Sequence, residues 1–228
     1  MLICKKFHTM YMSPIYTFFF YTAIISGLIP LLLIFIKNSK FNKFKNPILP
    51  YIVLVFIASL YEYFGSYILE INTVAWFMIY KVGAFGTLSY YFYHLLNKKF
   101  KVIFIAFTIL FTVIFFINLP KVSNETFLNI NGFLNAIITV FIIICAILWF
   151  KQLQWKINLN SHPNSYIIFG LLLVYCGTLF LHLFGYSIYL INKELFFTAW
   201  ILNLFLNLIN RLLLTFGTWK ILKSHYKN

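Results

Sequence analysis

Seven apolar stretches, each roughly 20 residues long and separated only by short polar turns, dominate this chain. A helix needs about 20 mostly apolar residues to cross the hydrocarbon of a bilayer. The stretches lie at about 15–36, 48–69, 74–96, 102–118, 127–150, 166–191 and 196–219. No segment between them is long enough to fold as a water-soluble domain. Residues 1–228 therefore read as a single seven-helix transmembrane domain, with an all-α, polytopic membrane fold. Composition agrees: only 10% of residues are charged, against about a quarter in a soluble domain.

The net charge of +14 does not point to nucleic acid, because the basic residues are sorted by loop rather than gathered on one face. Lys37, Lys40, Lys43, Lys45, Lys98, Lys99, Lys101, Lys151, Lys156, Lys220, Lys223 and Lys227 all fall on one side of the spans. Lys5, Lys6, Lys121 and Lys193 fall on the other, with Glu70, Glu125 and Glu194. Positive charge is retained in the cytoplasm, so the N-terminus is predicted outside and the C-terminus inside. The apolar run after Lys6 is too long for a signal peptide and lacks a small-residue cleavage site. It is read as an uncleaved first span, with translation starting at Met1 or at Met12. Cys4, Cys145 and Cys176 form no CxxC pair and imply no disulfide framework. Asn124-Glu125-Thr126 fits a glycosylation acceptor in an outer loop, while heavy use of Lys, Ile, Phe, Asn and Tyr has the bias of an AT-rich bacterial genome. The expected location is the bacterial cytoplasmic membrane.

An internal repeat is legible. Phe64-Gly65-Ser66-Tyr67-Ile68-Leu69-Glu70-Ile71-Asn72 ends the second span, and Phe184-Gly185-Tyr186-Ser187-Ile188-Tyr189-Leu190-Ile191-Asn192 ends the sixth. Ala75-Trp76 is then answered by Ala199-Trp200 in the following span. This pattern suggests a 3+1+3 duplication with the fourth span as linker, and it makes Glu62 and His182 equivalent positions.

Ionisable groups in a span cost about 2.5–3.5 kcal/mol each at mid-membrane, so they face the bundle interior and find partners. Glu62 and Lys81 flank the turn after the second span almost symmetrically. An ion pair between spans two and three is the expectation, either as a packing clamp or as a ligand contact. Spacings of three and four place Ser59, Glu62 and Ser66 on one helical face; Asn131, Asn135 and Thr139 share another. Tyr175, Thr178, His182, Tyr186 and Tyr189 line the sixth span, and Trp200, Asn203, Asn207 and Asn210 the seventh. Interhelical hydrogen bonding explains any one asparagine. Together the stripes predict an outward-facing polar cavity around Glu62, Lys81, Asn135, His182, Tyr186, Asn203 and Asn207. Arg211 is expected to snorkel toward the inner headgroups, and the apolar fourth span to lie against lipid.

Chemistry is harder to find. There is no aspartate, no HExxH motif, and His94 and His182 sit at opposite ends of their spans, so neither a metal site nor a cofactor is expected. The glycine-flanked serine of rhomboid proteases is missing, and no mid-span lysine in the last helix suits a retinal Schiff base. An intramembrane enzyme acting on lipid is thus the weakest functional reading.

Seven spans with an outside N-terminus and a 3+1+3 duplication resemble the layout of the sugar-efflux (SWEET) and nicotinamide-riboside transporters. That resemblance implies a small-solute transporter using the same cavity. The stretch Leu60-Tyr61-Glu62-Tyr63-Phe64-Gly65 through Trp76-Phe77-Met78-Ile79-Tyr80-Lys81-Val82-Gly83 resembles the second and third helices of seven-helix sensor regions that precede bacterial histidine kinases. It is similar also to small stand-alone membrane proteins. That likeness implies a receptor-like or accessory protein that binds a small ligand or lipid and passes its output to a separate signalling partner.

Overall fold

A computed structural model describes residues 14–37, 46–69, 73–121, 127–153 and 162–225. Cys4, Met12, Glu70, Asn124 and Glu125 lie outside the described residues. Among the described residues seven α-helices form: α1 (Pro14–Lys37), α2 (Leu49–Leu60), α3 (Thr73–Leu95), α4 (Lys101–Asn118), α5 (Phe127–Leu153), α6 (Pro163–Ile191) and α7 (Lys193–His225). Two 3-10 turns, Lys98–Phe100 and Leu119–Lys121, bracket α4. There is no strand among the described residues.

Among the described residues the fold is all-helical, and five helices are long and apolar enough to cross a membrane: α1, α4, α5, α6 and α7. The other two depart for visible reasons. Lys81, Tyr80, Tyr90, Tyr91, Tyr93 and His94 dilute the apolarity of α3. The α2 helix is only 12 residues long before the backbone widens into a π-helix, Tyr61–Ile68. The wider winding is visible where Leu69 N–H donates to Phe64 O, five residues back, at 2.9 Å.

The helices pack as a ring. α1 lies against α2 and α7, α3 joins α2 to α5, and α6 joins α5 to α7. α4 stays outside this ring, packed on α5 and α3, and buries 11% of its apolar window where α5 buries 56%. The peripheral place expected of the fourth stretch is what the structure has. Phe141 on α5 anchors it, with ring centroids 5.7 Å from Phe104 and 5.4 Å from Phe107, and 5.4 Å from Phe85 of α3. Offset and edge-on aromatic pairs at 4.5–7 Å add to the burial of their area. Outward, Phe18, Ile36, Ile79, Ile109, Phe133, Phe169 and Leu202 are exposed on six different helices. A water-soluble monomer does not show so much apolar surface.

His162 starts α6, its Nδ1 accepting from the Asn164 backbone N–H at 3.3 Å, with Trp149 edge-on at 5.6 Å. Burial holds the imidazole below its ordinary value. A base depressed in the fold is stabilising above its unfolded value and loses that contribution as pH falls below it. Protonation also turns the accepting Nδ1 into a donor. Between about pH 7 and about pH 5, spanning the ordinary histidine value, the melting temperature of wild type is expected to fall further than that of His162→Asn. Asparagine keeps the cap without titrating. Parallel melting curves for the two proteins would rule this out.

Candidate functional site

The polar side chains expected to share one cavity gather at two places. The first is the seam between α3 and α5. Lys81, 8% exposed, donates from Nζ to Asn135 Oδ1, and Asn135 is itself buried. Thr139, one turn on, donates to the Asn135 backbone carbonyl at 2.8 Å. His182 of α6 is half-buried and lies within electrostatic reach of Lys81. It is brought there by Gly132, one turn before the Asn135 level, whose bare Cα sits directly against the His182 backbone carbonyl. Close backbone approach of this kind is what small residues permit between helices in lipid. Asn131 shares the α5 face with Asn135. Its side-chain oxygen is buried with no hydrogen-bond partner among the described residues.

The second place is the seam between α7 and α1, with α2 behind it. Arg211 is buried, donates from Nη1 to the Ala23 carbonyl, and holds Glu62 through Nη2 at 3.6 Å. Gly27 makes room: a Cβ there would lie 3.2 Å from Arg211 Nη1 and collide with Ser59 Oγ. Around the pair stand tyrosines. Tyr51 is in hydrogen-bonding contact with Asn210 and Tyr175, and Tyr80 feels both Arg211 and Glu62.

Two expectations are thereby corrected. Glu62 and Lys81 do not form an ion pair; each takes a different partner. Arg211 does not snorkel to the inner headgroups but turns into the bundle, toward an acid that residue counting placed at another depth. Counting assumed that both helical hairpins end level. Gly132 lies five residues into α5 and meets His182, nine residues from the end of α6. At 1.5 Å per residue the longer hairpin therefore projects about 6 Å further, which shifts every depth along α7. Ser59 and Glu62 do share a face, since Ser59 Oγ lies against Gly27 beside Arg211 and Glu62 pairs with Arg211, and Glu62 enters that seam from the π-helix that begins at Tyr61. Such segments are frequent at functional sites.

Of the other expected residues, Asn203 is buried and Asn207 half-buried. Asn207 Nδ2 donates to the Asn203 carbonyl at 2.8 Å and to its Oδ1 at 3.0 Å, so these two bond along their own helix. Tyr186 is half-buried one turn beyond His182. Tyr51, Tyr80 and Arg211 stand at the seam between α7 and α1 without being among the residues expected to line a cavity. The signal was present in Asn210-Arg211, a polar pair inside an apolar run. Among the described residues, no three His, Cys or acidic side chains gather as metal ligands would.

No protein family, curated protein or solved structure matches this chain.

Proposed function

We propose that this chain is a seven-span membrane protein of the bacterial cytoplasmic membrane, N-terminus outside, that binds a small anionic or zwitterionic ligand beside Lys81. It acts as a receptor-like or accessory protein, with a separate partner carrying any signal onward. The observation that carries the ligand reading is the buried Asn131 oxygen, without a hydrogen-bond partner among the described residues, on the α5 face whose Asn135 accepts from Lys81 of α3. A buried acceptor left unsatisfied costs about 1–3 kcal/mol, and a ligand donor there would remove that cost. Lys81 has no carboxylate partner among the described residues, so an anionic ligand group would complete it. The orientation is supported by Lys37 and Lys223 over the Trp219 ring and Lys220 bonded to Tyr166 at 3.0 Å. These form an aromatic and basic belt of the kind found at membrane interfaces.

Native mass spectrometry of protein extracted with its host lipids tests the reading, comparing wild type with Lys81→Met and Asn131→Leu. Losing a charge-assisted hydrogen bond should cut ligand occupancy at least about tenfold. Lys81→Met relieves the desolvation of a lone buried cation and leaves Asn135 Oδ1 without its donor, which costs about 1–3 kcal/mol, so it should melt no more than a few degrees below wild type. An adduct that survives Lys81→Met, or no adduct on wild type, sinks the ligand reading.

The ring order favours a second reading, a small-solute transporter. Helices α1–α3 and α5–α7 follow one another around the ring with α4 outside it, so a two-fold axis along the membrane normal would exchange the α3–α5 and α7–α1 seams. Each seam is bridged by one buried cation from the third helix of a unit, Lys81 or Arg211. Parallel repeats of this kind occur in transporters. A cysteine placed at Asn203 in a background lacking the native cysteines should react from outside only in a receptor, and from both faces in a transporter.

A further inference from the structure

At the other end of the bundle from the α6–α7 turn, α3 ends and the chain turns through Asn97 and Lys98–Phe100 into α4. This corner encloses a cavity of about 240 Å³. It is lined by buried Leu96 and Phe104 and by exposed Tyr93, His94, Asn97, Lys98 and Lys101. The geometry is held by aromatic contacts. Tyr93 stands edge-on to Phe104 at 5.6 Å, and Lys101 Nζ lies 5.8 Å from the centre of the Tyr93 ring.

The corner lacks any negative charge of its own. The sequence has no acid between Glu70 and Glu125, and among the described residues neither Lys98 nor Lys101 has an ion-pair partner. The start of α4 is uncapped as well, since neither Phe100 nor Asn97 makes a side-chain cap bond. The positive end of the helix dipole thus faces the same corner as the two lysines. Ligand pockets for whole drug-sized molecules start at about 300 Å³, so this one suits a headgroup-sized anion.

We infer that this corner binds a phosphate group, supplied in the membrane by the headgroup of an anionic phospholipid. Basic pockets between helices at the cytoplasmic face hold such headgroups. The apolar side of α4 beside it, with Val102 and Ile105 exposed, offers the acyl chains a surface. The lipid source rests on the membrane-spanning reading, whereas the phosphate chemistry rests on the cavity alone. Neither depends on the ligand site at Lys81.

The full chain, delipidated in detergent, is titrated in native mass spectrometry with dioctanoyl phosphatidylglycerol and with dioctanoyl phosphatidylcholine. Inorganic phosphate serves as competitor. Three proteins are compared: wild type, Lys98→Gln with Lys101→Gln, and Lys151→Gln with Lys223→Gln. The last pair removes the same charge from two exposed lysines at the same end of the bundle. Wild type should prefer phosphatidylglycerol, and the corner variant should lose at least about tenfold in affinity for it without a change in melting temperature. The control pair should lose no more than about twofold. Phosphate competition without any lipid preference supports the phosphate site and overturns the lipid source. Equal losses in both lysine pairs, or equal binding of the two lipids without phosphate competition, overturn the proposal.

Discussion

Arg211→Met lowers the melting temperature sharply, and adding Glu62→Gln to it recovers much of the loss. With the guanidinium gone, the Glu62 carboxylate stays in the bundle without its cation, and Ala23 loses one of its two side-chain donors, keeping only Ser26 Oγ at 2.8 Å. Removing one partner of a buried pair costs about 3–5 kcal/mol. Glu62 retains 36% of its side-chain exposure, so water offsets part of that, and about 2–3 kcal/mol is expected. Glu62→Gln alone keeps a neutral acceptor for Arg211 and should cost about 1–2 kcal/mol. The double variant should then be more stable than the sum of the single losses by at least about 2 kcal/mol. The control is Lys81→Met combined with Glu62→Gln, which should be additive, because Lys81 bonds to Asn135. Additivity at Glu62–Arg211 together with coupling at Glu62–Lys81 would restore the pairing that residue counting suggests and refute the one described here.

That contrast marks where the sequence stopped being informative. Hydropathy adds up residue by residue, so the places of the seven helices were legible, α4's peripheral position included. Which helix faces which was not. Helices such as α5, with Ile, Phe and Leu on every side, carry no stripe that singles out a neighbour, and the ring order emerges only when all seven pack. Depth was misjudged for two further reasons: α6 and α7 run to 29 and 33 residues, and the π-helix from Tyr61 winds the end of the second span differently from the α-helix that residue counting assumes. Arginine hid the error, since its long side chain spans more than one helical turn. The Lys81–Asn135 contact could have been anticipated: both residues lie eight positions from the start of their helix at the same end of the bundle.

Gly132→Ala is expected to produce the largest packing effect, and two other glycines calibrate it. A Cβ at Gly132 would overlap the carbonyl oxygen of His182, a backbone atom that cannot rotate away. At Gly177 it would meet only the flexible end of Leu206 at 2.6 Å, and at Gly86 nothing within 4 Å. Overpacking costs about 1–3 kcal/mol and occasionally more; Gly132→Ala should reach the upper end by forcing α5 and α6 apart. Gly177→Ala should cost less than about 1 kcal/mol once the side chain moves. Gly86→Ala should gain up to about 1 kcal/mol from helix propensity. Because α5–α6 separation also carries His182 away from Lys81 and Asn135, Gly132→Ala should lose ligand and stability together, whereas Lys81→Met should lose ligand with little loss of stability. Thermal unfolding of the three alanine variants in one detergent would read this order directly. If Gly132→Ala melts no earlier than Gly177→Ala, the backbone contact that brings His182 to the α3–α5 seam is not present in the folded protein.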